Sequence, residues 1–182
     1  MRTKPIRKFS HAWKVLRGHY WGSLLFDVVI LILVFVLINV WQTRNLPNDE
    51  PAPPLENAWL DDMRADSIVV PGKVGVVYFF APWCFYCRHS IGNLDKLVRD
   101  GELAWARAVA LDYGRVDEVR EFIRITGVDL PVLLGNQQTT RDCKIRGFPT
   151  YFVINADGQI VSRSVGYSTR LGLQARLSMS GD

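Results

Sequence analysis

The chain has 182 residues, 48% of them hydrophobic, and a formal net charge of +4, which leaves room for one ordinary domain and something unusually apolar besides. Six positive charges (Arg2, Lys4, Arg7, Lys8, Lys14, Arg17) fall in residues 1–20, which hold no acidic residue, so the remainder carries a net −2 and offers no basic patch for nucleic acid. Three cysteines are too few for a disulfide-dense scaffold.

In chain order, residues 1–20 read as a basic cytoplasmic tail. Residues 24–40 then run LLFDVVILILVFVLINV, bracketed by Trp21 and Trp41. At about 1.5 Å per residue, 21–41 is long enough to cross a hydrocarbon core of roughly 30 Å, and the bracketing tryptophans suit the two interfaces. The segment reads as a single transmembrane anchor. A cleaved signal peptide would want small residues just past the apolar run, where Val40-Trp41-Gln42-Thr43-Arg44-Asn45 stands instead. The charge asymmetry puts the N-terminus in the cytoplasm and the rest outside. Asp27, three residues into the apolar run, reads as a headgroup-level residue rather than a buried functional charge.

Residues 42–54 form a proline-rich, acidic linker, extended and semi-rigid. The folded part is expected over 55–182. Val76-Val77-Tyr78-Phe79-Phe80 is a continuous apolar run, read as a central strand buried on both faces. A helix follows over 84–99, with Ile91, Leu94, Leu97 and Val98 at helical spacing. Next come a strand at 106–111, a helix at 116–126 closed by Gly127, a short strand at 131–134 and a polar helix around 138–144. A strand at 151–154 turns through Asn155-Ala156-Asp157-Gly158 into its partner at 159–165, and a last helix covers 168–179. This alternation predicts a mixed α/β sheet with helices on both faces.

Cys84 and Cys87 stand where the buried strand gives way to the helix. There the unpaired backbone N–H groups and the helix dipole favour a thiolate at Cys84, while Cys87, one turn further in, is shielded and able to attack a mixed disulfide. A structural zinc site needs four ligands, and beyond this pair the chain has only Cys143, His11, His19 and His89. A c-type haem site needs histidine directly after the second cysteine, where Arg88 stands. A purely structural disulfide would close too small a loop to add much stability. The pair therefore reads as a redox-active dithiol, with no other cofactor and no metal expected.

Trp83-Cys84-x-x-Cys87 after an apolar strand, Gly147-Phe148-Pro149-Thr150 before a second one, the Asp157-Gly158 hairpin and Gly166 ahead of the last helix together resemble the thioredoxin fold. The additional strand–helix piece from 106 to 134 resembles the insertion of the membrane-tethered TlpA/ScsD-like and CcmG-like thiol–disulfide oxidoreductases. The resemblance covers about 55–182. It implies that Pro149 is a cis proline beside the dithiol and that the backbone of Phe148 pairs with an extended substrate segment. Where thioredoxins carry a buried aspartate this chain has Tyr78, where they commonly have a helix proline it has Gly92, and where several TlpA-like reductases place a glutamate it has Ser90. Between the cysteines, Phe85 and Tyr86 supply an aromatic contact and no charge; Arg88 is the nearest cation.

The expected chemistry is disulfide exchange. Cys84 attacks a substrate disulfide docked on Trp83, Phe85, Tyr86, Phe148 and Pro149, and Cys87 resolves the mixed disulfide. By the resemblance, the partners are exported proteins bearing disulfides and a membrane electron donor that re-reduces the pair. The expected place is the bacterial inner membrane, single-pass, with the C-terminal domain periplasmic. Two alternatives stand beside this: a disulfide donor using the same atoms, and a Cu(I)-binding protein using the same thiols. Cys143 is read as a buried, inert thiol and not a third redox partner.

Overall fold

In the computed structural model the described residues are 24–38, 40–41, 51–53, 56–61 and 64–178. The chain divides into two compact units, Met1–Trp41 and Gln42–Asp182. In the first, residues 24–38 and 40–41 are helical (α1) and their apolar side chains are exposed. No helix among the described residues is long and apolar enough to cross a membrane. Residues 21–23 and 39 of the expected span lie outside the described residues, as do residues 1–20 and most of the expected linker.

Among its described residues the second unit is built on a seven-stranded sheet. Its strands are β1 (Glu56–Trp59), β2 (Ala65–Ser67), β3 (Gly75–Phe80), β4 (Trp105–Ala110), β5 (Val132–Leu134), β6 (Thr150–Ile154) and β7 (Ile160–Val165), in the order β2-β1-β5-β4-β3-β6-β7. β3 lies inside the sheet, parallel to β4 and antiparallel to β6. All six of its residues are buried, because both faces of the strand are covered, as its unbroken apolar run requires.

Alternation along β3 separates two cores. Val76, Tyr78 and Phe80 face α2 (Phe85–Arg99), α3 (Val116–Thr126) and α5 (Arg170–Ser178), in a cluster with Cys84, Cys87, Ile91, Leu94, Leu97, Phe122 and Leu173. On this face β4 shows only Ala106, Ala108 and Ala110, whose small side chains leave room for the helices. Val77 and Phe79 face the opposite core, with Val109, Leu133, Phe152 and Ile154, which is closed by Cys143 and Ile145 just after α4 (Gln137–Asp142). Helix ends follow their chemistry. Gly127 takes the left-handed conformation at φ 61° and returns its N–H to Ile123 O at 2.9 Å, and Asn136 and Thr139 make a capping box on α4.

The expected elements from residue 76 onward are present, with no end shifted by more than two residues. Two strands had no counterpart in the sequence reading. β1 and β2 are short and rich in Asn, Asp and Ser, poor strand formers by themselves, and are held by neighbours: β1 pairs with β5, and Arg107 of β4 reaches Asp66 Oδ2 at 3.3 Å and lies 4.9 Å over the Trp59 ring. The unit's pairing also begins ahead of residue 55, since Pro51 bridges Gln159 and the Ala52 N–H donates to Gly158 O at 3.0 Å.

One close contact sets a limit on β3. A Cβ added at Gly75 would lie 2.0 Å from the Trp105 ring, and that ring is tied down by its Nε1–H donating to Lys73 O at 2.9 Å. Gly75→Ala is expected to destabilise the domain by about 1–3 kcal/mol through overpacking. The urea midpoint measures this, and an unchanged midpoint contradicts it.

Candidate active site

The buried strand β3 ends at Phe80, and only Ala81, Pro82 and Trp83 intervene before Cys84. Cys84 is the N-cap of α2, with φ −74° and ψ 113°. Its N–H donates back to Ala81 O at 3.0 Å, and its Sγ accepts from the Cys87 N–H at 3.1 Å. The sulfur thus occupies the place where a capping side chain satisfies an orphan helix N–H, and no acidic residue stands in the first turn to oppose negative charge there. Cys84 and Cys87 are joined as a disulfide. Cys84 is 5% exposed and Cys87 is 0% exposed, so of the two residues only Cys84 offers any surface to an incoming group.

The aromatic residues expected around the pair fall into two groups. Trp83, 63% exposed, packs edge-on to Phe148 with ring centroids 6.0 Å apart. Phe85 and Tyr86 are also exposed and stand edge to face at 5.7 Å, with His89 lying against Phe85 and its Nδ1 2.9 Å from Phe85 O. The Phe148–Pro149 peptide is cis and Pro149 is buried. The β3–β6 register pairs Phe79 with Thr150, which puts Pro149 at the same end of the sheet as the Cys84 junction.

Asp112 escaped the sequence reading. It sits just past β4 in the left-handed region at φ 50°, and both its carbonyl and its Oδ2 accept from the Trp83 indole N–H, at 3.0 and 3.1 Å. Nothing in the spacing of the chain announces this bond, which depends on β4 running parallel to β3 and ending beside it. Beyond Asp112 a cavity of about 650 Å³ opens, lined by Tyr113, Asn136, Arg141, Arg146 and Phe148 among others. Arg88, the nearest cation in sequence, is exposed and acts on Glu121 of α3, whose carboxyl is held below its usual range mainly by Arg124.

Cys143 lies on the other face of the sheet from the dithiol, in the core with Phe79 and Phe152. It is fully buried, and burial, with Asp142 adding, pushes its thiol up to about 12. It is therefore not placed to join Cys84 and Cys87 as a redox partner or ligand. Among the described residues no group of three His, Cys, Asp or Glu is gathered to hold a metal ion.

With the folded protein oxidised, a thiol reagent at about pH 8 should leave Cys143 unlabelled and should label one cysteine after unfolding, because the reactive form is the thiolate. Stoichiometric labelling of the folded, oxidised protein contradicts this placement.

Comparisons with known proteins agree with this geometry. The model of the AhpC/TSA family matches residues 50–163. The thiol:disulfide interchange protein CycY of Rhizobium leguminosarum bv. viciae is 30% identical over 116 residues, which cover 59% of this chain and 58% of that protein. The thiol-disulfide oxidoreductase ResA of Bacillus thuringiensis (strain Al Hakam) is 24% identical over 165 residues, covering 86% of this chain and 95% of that protein. Among solved structures, a thiol:disulfide interchange protein of the thioredoxin family from Chlorobium tepidum TLS superposes with a TM-score of 0.63 at 24% identity, covering 74% of this chain and 96% of that one.

Proposed function

The chain belongs to the AhpC/TSA family and is a thioredoxin-like thiol–disulfide oxidoreductase, and from that premise we propose that it is a membrane-tethered reductant of disulfides in exported proteins, working through Cys84 and Cys87. The observation that carries the exchange chemistry, whichever way the electrons run, is the asymmetry of the pair: Cys84 caps a helix at the rim, and Cys87 is sealed beneath it.

Reduced, Cys84 is the nucleophile, since the helix N-terminus favours its thiolate. It attacks one sulfur of a substrate disulfide; a Cys84–substrate disulfide forms and the other substrate sulfur leaves as a thiolate. Cys87 then loses its proton and attacks Cys84 Sγ, releasing the second substrate thiolate and leaving the protein oxidised. Two electrons pass from the dithiol to the substrate. The cycle closes when a membrane electron donor re-reduces the pair.

Trp83, clamped by Asp112 and edged by Phe148, gives the substrate an apolar wall, and the cavity past Phe148 gives an extended chain somewhere to lie. Phe85 and Tyr86 offer a second apolar contact on the helix side, and the Phe148 backbone beside Pro149 offers main-chain pairing. The apolar run of residues 24–40, with six positive charges ahead of it, is what supports reading 21–41 as an anchor with a cytoplasmic N-terminus and a periplasmic domain.

Cys84→Ser is expected to abolish disulfide reduction, and Cys87→Ser to accumulate mixed disulfides that run as reducible adducts on non-reducing gels of the membrane fraction. Cys143→Ala should retain turnover. Adducts composed of cytoplasmic proteins, or none at all in the Cys87→Ser strain, would speak against the proposal.

A further inference from the structure

Behind Cys87 lies a pair of hydroxyls that the exchange steps above do not use. Tyr78, in the middle of β3 and fully buried, donates from its hydroxyl to the Cys87 carbonyl oxygen at 3.0 Å and stands 3.0 Å from Ser90 Oγ. A phenol has one proton, and this one is engaged with the carbonyl, so Ser90 is the donor in the second bond, its hydroxyl standing 3.5 Å from the same Cys87 carbonyl oxygen. Ser90 is itself fully buried, one turn of α2 beyond Cys87. Tyr151, which faces Tyr78 in the β3–β6 register, packs its ring 4.8 Å away.

A carbonyl oxygen has two lone pairs, so the Cys87 carbonyl can take the Tyr78 proton and still serve the helix ladder. The bond is a cross-link from the most buried strand to the first turn of the helix, at the residue that must perform the second attack. Such a link matters little while the Cys84–Cys87 bond is closed, because the disulfide itself fixes the turn. It matters once that bond is open.

We infer that Tyr78 and Ser90 are positioning residues for the resolving step: they hold the Cys87 turn against β3 in the mixed disulfide, so that the Cys87 sulfur stays aimed at Cys84 Sγ. This rests on the exchange mechanism given above and deepens it. In that step the Cys87 proton passes to water and the Cys87–Cys84 sulfur bond forms. The Cys84–substrate bond breaks, its electron pair leaving on the substrate thiolate, which takes a proton from water.

Both phenols keep their protons. Burial, with Tyr151 adding, pushes the Tyr78 phenol up from its ordinary value, and burial pushes Tyr151 up to about 12. The groups acting on these phenols are each other, Ser90, the Ser168 backbone and Arg176; no carboxylate is among them.

The test is single-turnover exchange by the full chain in detergent with a peptide disulfide, separating formation of the mixed disulfide from its resolution. Tyr78→Phe keeps the ring and removes the hydroxyl. It is expected to slow resolution about fivefold, the rate equivalent of one lost hydrogen bond, to leave mixed-disulfide formation unchanged, and to leave the inflection of the resolution rate between about pH 6 and 9 where it was. Ser90→Ala is expected to slow resolution less, about twofold. If Tyr78→Phe does not fold, Ser90→Ala decides alone: slowed resolution with normal formation supports the inference, and an unchanged rate overturns it. Resolution at the wild-type rate in folded Tyr78→Phe, equal slowing of both steps, or loss of the pH inflection each overturns it. Absence of any mixed disulfide in Cys87→Ser overturns the exchange mechanism itself, and the positioning role with it.

Discussion

A six-residue strand buried on every side must hand over to a helix within four residues, and that handover organises the domain. β3 has no exposed residue, so its direction and register are set by packing on both faces. Where it ends, Ala81 O takes the Cys84 N–H and the Cys84 sulfur takes the N–H of Cys87. The proposed nucleophile is therefore also a structural atom: it completes a helix N-terminus that would otherwise leave a donor unsatisfied. The two strands that flank β3 deliver the remaining parts to the same end of the sheet. β4 runs parallel and supplies Asp112 to hold Trp83; β6 runs antiparallel and begins just after the cis peptide at Pro149.

The environment of the two sulfurs differs in the way sequential attack requires. Cys84 has the open helix end and no acidic neighbour in the first turn, which suits a thiolate. Cys87 has the core around it and neutral hydroxyls behind it, with Tyr78 and Ser90 bound to each other and to the turn. The groups behind Cys87 are therefore neutral hydroxyls and not a buried carboxylate. The third thiol is kept out of this chemistry by the sheet itself, since Cys143 belongs to the core on the opposite face.

What the sequence disclosed was local. A continuous apolar run followed by a cysteine pair, a Gly127 past a helical period and an Asp157-Gly158 turn each state their structure within a few residues, and each is present as read. What it withheld depends on partners far along the chain. β1 and β2 have little strand propensity and exist because β5 and Arg107 receive them. Asp112 becomes part of the site only through the parallel pairing of β3 and β4. Tyr78 and Ser90 were visible as departures from a carboxylate pattern, but their bond to one another needed the helix to be laid on the strand. The burial of Cys143 followed from the habits of free cysteines; the face it occupies did not, because it is set by how the chain returns under the sheet after α4.

The equilibrium potential of the Cys84–Cys87 couple tests the central claim most directly, because a reductant and an oxidant built on this geometry share every atom and differ in which redox state the fold favours. Measured on the full chain in detergent against defined glutathione ratios, the account predicts a value at the reducing end of the range for such pairs, near about −270 mV. A value near about −120 mV, the range of strong disulfide donors, would contradict it.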